Sequence, residues 1–366
     1  THSGTNTLLS DSVLLNGNNS AMLIDSTSNI SSSSTGVVVM LLDGRYGLPF
    51  PAGYTADGEN AGTIVLGNDS AAVYGKNGTR LKNSGSITLG SNSVGVYNVG
   101  ASSETENIGI ITLGNNSTGL YQNNGTNIIN NGTINGTGTG AVGIYTDSNT
   151  GIINNTALID LQGDKSIGIY AMGSTQNIIN SGTIKLGNSS LMNDPSIGIY
   201  TNNTTDTIIN TGNIEAGSRS LGIYSLGTQV DHVSGTIKAG SEGTGIYKDT
   251  GLLRIHSGAV IEALAGEAAG LYGINGAGIT ADSGAIFNIG YGSYGIIAES
   301  GATLLNSAAI TLGDNSIFTY GNNSGGIVNN GAVNITGSDN TAFYMVKGGS
   351  IINNANITGT AGTGNI

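Results

Sequence analysis

A tyrosine returns about every 24 residues along most of this chain, closing the same short phrase each time. The phrase reads Gly95-Val96-Tyr97, then Gly119-Leu120-Tyr121, then Gly143-Ile144-Tyr145, and it recurs ending at Tyr170, Tyr200, Tyr224, Tyr247 and Tyr272. Looser copies end at Tyr74, Tyr320 and Tyr344, and one repeat puts Ile297 at the tyrosine position. From Tyr74 onward the steps are 23, 24, 24, 25, 30, 24, 23, 25, 25, 23 and 24 residues. A period of this size, held over most of a chain, is the signature of stacked repeats that bury their apolar faces against one another. One continuous repetitive body is therefore expected of the 366 residues.

Each repeat resolves into three short extended segments. Between Asn83 and Tyr97, Ile87 and Leu89 flank Thr88 with the period-2 alternation of a strand. Gly90 to Ser93 reads as a turn, because Gly and Asn tolerate positive φ and Ser hydrogen-bonds the local backbone. Val94 and Val96 then alternate with Gly95 and Tyr97 in a second strand, and a variable polar loop leads to a third apolar pair such as Ile128-Ile129, Ile152-Ile153 or Ile351-Ile352. The pattern predicts an all-β fold, a right-handed parallel β-helix: a three-sided solenoid of roughly 13 rungs of about 24 residues. Helical repeats are excluded by β-branched residues interrupted by Gly, and leucine-rich and calcium-binding nonapeptide repeats by the absence of their frames.

Two further columns support this geometry. The residue before the tyrosine is aliphatic (Val96, Leu120, Ile144, Ile169, Ile199, Ile223, Ile246) and should face in, which turns the tyrosine outward into a stacked ladder. Asn83, Asn107, Asn130, Asn154, Asn180, Asn210, Asn306, Asn329 and Asn353 recur just before the first strand of a rung, where amides about 4.8 Å apart can hydrogen-bond along the stack. Val233, His256 and Asp282 interrupt this column, so His256 and Asp282 should be neighbours.

Composition narrows the partners. A net charge of −12, with only 11 Lys and Arg scattered along the chain, disfavours nucleic acid and anionic membranes. No apolar run reaches the about 18 residues of a membrane-spanning helix. With no cysteine, stability outside the cell has to come from stacking and not from disulfides. Thr1 opens mid-pattern and no signal peptide is visible, so the chain reads as a segment of a longer product.

Departures from the repeat are where a solenoid projects loops. Residues 1–60 read as irregular rungs with a projecting loop at 42–57, and 61–366 as regular, open-ended repeats. The loop concentrates Arg45, Tyr46, Phe50 and Tyr54 in a chain that is only 5% aromatic. An Arg among three aromatics on a Pro-stiffened loop makes a candidate contact patch for a protein or a sugar; the competing reading is a loop folded over apolar edges. A second departure, Ser190 to Ser196, accounts for the 30-residue step and reads as a decorative bulge. Catalysis is not expected. The acidic residues are scattered among turns, His2, His232 and His256 lack metal-ligand spacing, and no cofactor motif is present.

The phrase N-x-G-T-I-x-L-G-N-x-S-x-G-I-Y, carried by Asn180 to Gly187 and Ser196 to Tyr200, resembles the passenger repeats of large autotransporter adhesins, especially the very long outer-membrane autotransporters of fusobacteria. The resemblance covers roughly residues 61–366. It implies a type V secreted passenger segment at the bacterial cell surface, held to the outer membrane through a barrel domain absent from this chain, or released. It also implies an adhesin that attaches to host cells or other bacteria through a host cell-surface receptor, a galactose-containing glycan or a partner bacterium. The alternatives are a passive stalk presenting a distal tip and, less favoured, a polysaccharide-active enzyme on the same fold.

Overall fold

The computed structural model describes the chain except for residues 45–48, 51–54, 174–176, 203–206, 265 and 360–361. The described residues form strands and turns without a helix. Successive strands enter three parallel sheets in strict rotation, and the sheets hold 15, 14 and 14 strands. The fold is an all-β solenoid of about 14 turns, one more than the repeat count suggests. It divides into two compact units, Thr1–Ile178 and Ile179–Ile366.

A coil of the first unit shows the rule. Ser86–Leu89 joins the first sheet, Val94–Val99 the second and Glu104–Asn107 the third. The next coil lies in register, like on like: Ile87 opposite Ile111, Tyr97 opposite Tyr121, Asn107 opposite Asn130. Ile64, Ile87, Ile111 and Ile134 form one fully buried column and Val73, Val96, Leu120 and Ile144 another. Burying each such side chain stabilises the fold by about 1.5–3 kcal/mol. At the turn between them, Asn92 takes φ 54°, as the Gly90–Ser93 reading requires. Buried serines add a further ladder there, with the amide of Ser70 donating to Ser93 Oγ and that of Ser93 to Ser117 Oγ.

The tyrosines form the expected outer ladder. Rings 74, 97, 121 and 145 stack with centroids 4.8, 4.4 and 5.0 Å apart. In the second unit the pairs 200–224, 224–247 and 247–272 keep similar spacings, 5.4, 4.9 and 5.0 Å, but turn progressively edge-on. Ile297 occupies its place in this column, between Tyr272 and Tyr320.

The strict alternation expected around Gly95 does not hold. Gly95 and Val96 are both buried while Val94 and Tyr97 are half-buried, and the same step recurs where Val39 or Phe318 stands in the glycine's place, so it belongs to the strand and not to the glycine. A Cβ on Gly95 would sit 2.7 Å from Gly119 O, and one on Gly119 2.6 Å from Gly143 O.

The asparagine column also shifts. Its members end the strands of the third sheet, and in the first unit they are Asn60, Asn83, Asn107, Asn130 and Asn155; Asn154 is one place too early. Opposite Asn210 stands His232, followed by Ile255 and Ala281, where Val233, His256 and Asp282 were expected. The turns that flank the third sheet vary in length, so placing the column just before the next strand misplaces the inward position by one. The amides run one way, each Nδ2 donating to the next Oδ1 at 2.7–2.8 Å in the first unit. The Nδ2 groups of Asn60, Asn83 and Asn107 also donate to the carbonyl two residues on.

Gly119→Ala places a methyl group against the backbone of the neighbouring coil. It is expected to lower stability by about 1–3 kcal/mol in urea unfolding, whereas Thr118→Ala, at a half-buried outer position, should cost under about 0.5 kcal/mol.

Candidate binding groove

Period-2 alternation on the third sheet turns one set of side chains inward and the other outward. In Arg80–Asn83, Leu81 and Asn83 face in while Arg80 and Lys82 face out; in Glu104–Asn107, Thr105 and Asn107 face in while Glu104 and Glu106 face out. Charges of opposite sign therefore lie on adjacent strands paired Glu104 to Arg80 and Glu106 to Lys82. Phe50, Thr55 and Ala56 lie beside them and help close a groove of about 310 Å³, with Ile129 and Asn127 among the other lining residues.

One wall is fixed by a buried ion pair. The Asp57 side chain is fully buried, and its carboxylate accepts from Arg80 Nε at 3.0 Å, Nη2 at 2.9 Å and the Arg80 backbone amide at 2.9 Å. A bidentate guanidinium and a backbone donor together satisfy a charge that burial alone would penalise. The outer face of the same guanidinium lies 3.8 Å from the centroid of the Phe50 ring, a cation–π contact of about 0.5–2 kcal/mol. Lys82 Nζ lies 3.8 Å from Glu106 and 3.5 Å from Thr55 Oγ1, which itself donates to Glu59 at 2.8 Å. The groove thus presents an aromatic edge ringed by an ammonium, carboxylates and an amide, groups suited to hold a polar ligand by hydrogen bonds against an apolar surface.

Of the four residues of the expected contact patch, Phe50 is placed at this groove and 37% exposed. Arg45, Tyr46 and Tyr54 lie outside the described residues. Asp57, Arg80, Lys82, Glu104 and Glu106 were not singled out from the sequence. The available signal was local: alternating charges at Arg80-Leu81-Lys82 and Glu104-Thr105-Glu106 in a chain with 9% charged residues.

The sequence model of one protein family, described as the BigA third pectate lyase-like domain, matches residues 53–247, more than half of the chain. The chain belongs to this family. Its domains are those of bacterial surface proteins, which agrees with a cell-surface location. No curated protein and no solved structure matches the chain. All of the groove except Phe50 falls within the matched residues.

The family match also takes in part of a second polar cluster, in the second unit. His256 and Asp282 are neighbours as expected, with Nδ1 3.7 Å from the carboxylate, but they lie on the outer surface and not in the amide column. His256 Nε2 contacts Asp231 at 3.1 Å, and Arg254 pairs with Asp282 at 3.0 Å. Among the described residues no three His, Asp or Glu side chains converge as a metal-binding set. The Ser190–Ser196 departure exposes Leu191 and Met192, and its base is closed by the amide of Ser196 donating to buried Ser189 Oγ at 2.6 Å.

Lys248 is a fully buried cation that the sequence did not announce. Its ammonium donates to Ser225 Oγ at 3.0 Å and to Thr228 O. Burial pushes its pKa from 10.5 down to about 8, against a smaller upward pull from Asp249. At neutral pH the ammonium is charged in the folded and unfolded chain alike, so the fold carries the full desolvation penalty, which is relieved only as pH rises from about 8 to 10.5.

Two outcomes follow for stability. Arg80→Leu leaves the Asp57 carboxylate buried without its guanidinium and is expected to cost about 3–5 kcal/mol in urea unfolding. Lys248→Met should instead stabilise the fold at pH 7 by about 3 kcal/mol, because Ser225 Oγ already donates to Thr228 O and no carbonyl is orphaned. That advantage should shrink between pH 8 and 10.5.

Proposed function

We propose that this chain is a binding segment of a bacterial adhesin, exported by the type V route and displayed at the cell surface, which attaches to host cells or other bacteria through a glycan or protein receptor. The observation that carries the reading is the groove beside Phe50. Its aromatic edge is held by a guanidinium that is itself anchored on a buried carboxylate, so the wall is rigid before any ligand arrives. Around it, Lys82, Glu104, Glu106 and Asn127 offer donors and acceptors at fixed intervals set by the coil spacing. The groups match the hydroxyl-rich, apolar-faced surface of a sugar, galactose-containing glycans included, or a polar loop of a receptor. Membership of a family of surface-protein domains supports the location.

The groove acts by binding and not by catalysis in this reading, with no cofactor. Glu106 faces Lys82 and Glu59 is held by Thr55 and Ser84, arrangements that fix carboxylates in place instead of leaving them poised for proton transfer. Polysaccharide cleavage is the second reading, favoured by the acidic and basic side chains that share one groove on a pectate lyase-like fold.

The test is binding of the purified chain to a glycan array and to host and bacterial cells, with the Phe50→Ala variant and the double variant Lys82→Ala/Glu104→Gln each checked for folding. A loss of tenfold or more in affinity, about 1.4 kcal/mol, is expected for each variant. Unchanged binding in both would remove the groove from the account, and no binding by the folded chain would favour the passive stalk. New reducing ends after incubation with acidic polysaccharides would favour the enzyme.

A further inference from the structure

The amide run that passes through Asn180 and Asn210 ends on an imidazole. Asn180 Nδ2 donates to Asn210 Oδ1 at 2.6 Å, which fixes the orientation of the Asn210 amide. Its Nδ2 therefore faces onward, donating to Gly212 O at 3.0 Å and to His232 Nδ1 at 3.0 Å. Nδ1 must be an acceptor, which leaves the proton on Nε2, and Nε2 lies 3.2 Å from Val260 O. His232 is fully buried, and the next residue in its column is Ile255, which can accept nothing. A neutral imidazole is thus the one form that suits both neighbours: it accepts from the ladder and donates sideways to the first sheet.

A second proton would put Nδ1–H face to face with the Asn210 N–H. The carbonyl near Nδ1, Asn210 O at 3.4 Å, also accepts the Val233 amide at 2.8 Å, so it offers an Nδ1–H only a long, shared bond. Turning the Asn210 amide over would break its bond from Asn180. We infer that His232 is a protonation-controlled end stop of this ladder: in acid it releases the Asn210 side chain and loosens the coil between Thr207 and Val260 while the rest of the unit stays folded.

The surrounding charges do not offset this. The preceding strand Thr207–Asn210 carries no titratable side chain, and on Leu252–Ile255 Arg254 is exposed and paired with Asp282. On the strands of the first sheet, Lys238 and Glu262 occupy outer positions. Asp231 points outward to His256, whose own charge adds to the penalty on His232. Lys248 brings a further buried cation against Thr228, just before the strand Gln229–His232. Burial is the largest cause acting on the His232 pKa and depresses it below its ordinary 6.5, outweighing the upward pull of the Val260, Asn210 and Gly235 carbonyls. The folded chain therefore binds fewer protons than the unfolded one. The contribution is complete above pH 6.5 and is lost as pH falls through the folded value.

The experiment is hydrogen exchange read by mass spectrometry, with rates referred to the intrinsic rate at each pH, on the whole chain and on His232→Asn and His256→Asn. In the wild type, protection over residues 207–260 should fall by about tenfold or more between pH 7.5 and 5.0, the size of one lost buried hydrogen bond, while the first unit keeps its protection. His232→Asn restores an amide acceptor and should abolish the local loss; His256→Asn should retain it. Equal acid loss in the wild type and His232→Asn, or loss abolished only by His256→Asn, overturns the inference. If His232→Asn does not fold, carbon-detected NMR titration of the wild-type imidazoles decides it. Protonation of His232 must then coincide with the loss of protection, and protonation without that loss overturns the inference.

Discussion

Everything in this fold depends on identical side chains meeting their own kind one coil away. A parallel, in-register coil offers each inward amide a partner above and below at the spacing of the backbone itself. A buried amide that found no partner would cost about 1–3 kcal/mol, so the column tolerates few interruptions. From Asn60 to Asn155 none occurs. The ladder has a direction as well as a spacing, because each amide gives one N–H onward and Asn60, Asn83 and Asn107 give the other to their own turn. That direction is what makes the residue at the end of a run matter chemically.

The outer surface follows from the same rule. Columns that must match from coil to coil leave little freedom inside, and variation moves to the outward positions and to the turns. The groove arises where both vary together: two adjacent strands carry opposite charges outward, and Phe50 and Thr55 lie beside them. Its anchor, Asp57, is one of the few charged groups that the fold buries, and it is satisfied before any ligand is considered. Lys248 is the contrasting case, a buried charge whose ammonium donates to a hydroxyl and a carbonyl and not to a carboxylate, among the described residues.

The architecture was legible in the sequence because period and alternation are properties of spacing alone. The tyrosine column, the aliphatic residue before it and the turn at Asn92 stand where the repeat puts them. What failed was the phase of the third strand: Asn155, and not Asn154, faces in, and His232, and not Val233, meets Asn210. A turn one residue longer or shorter moves the inward set to the next residue, and a single sequence carries no mark of it. The groove was half legible. Phe50 stood out by type, whereas Asp57 and Arg80 are joined only by the coiling of the chain, 23 residues apart in sequence.

The most direct test of the central claim is a double-mutant cycle on two adjacent rungs of the amide ladder. Asn83→Ala, Asn107→Ala and the double variant would be compared with the wild type by urea unfolding. If the amides act as one hydrogen-bonded column, the two substitutions should be coupled by at least about 0.5 kcal/mol. Effects that add to within about 0.3 kcal/mol would mean that each asparagine serves only its own turn, and that the coils are held in register by the apolar columns alone.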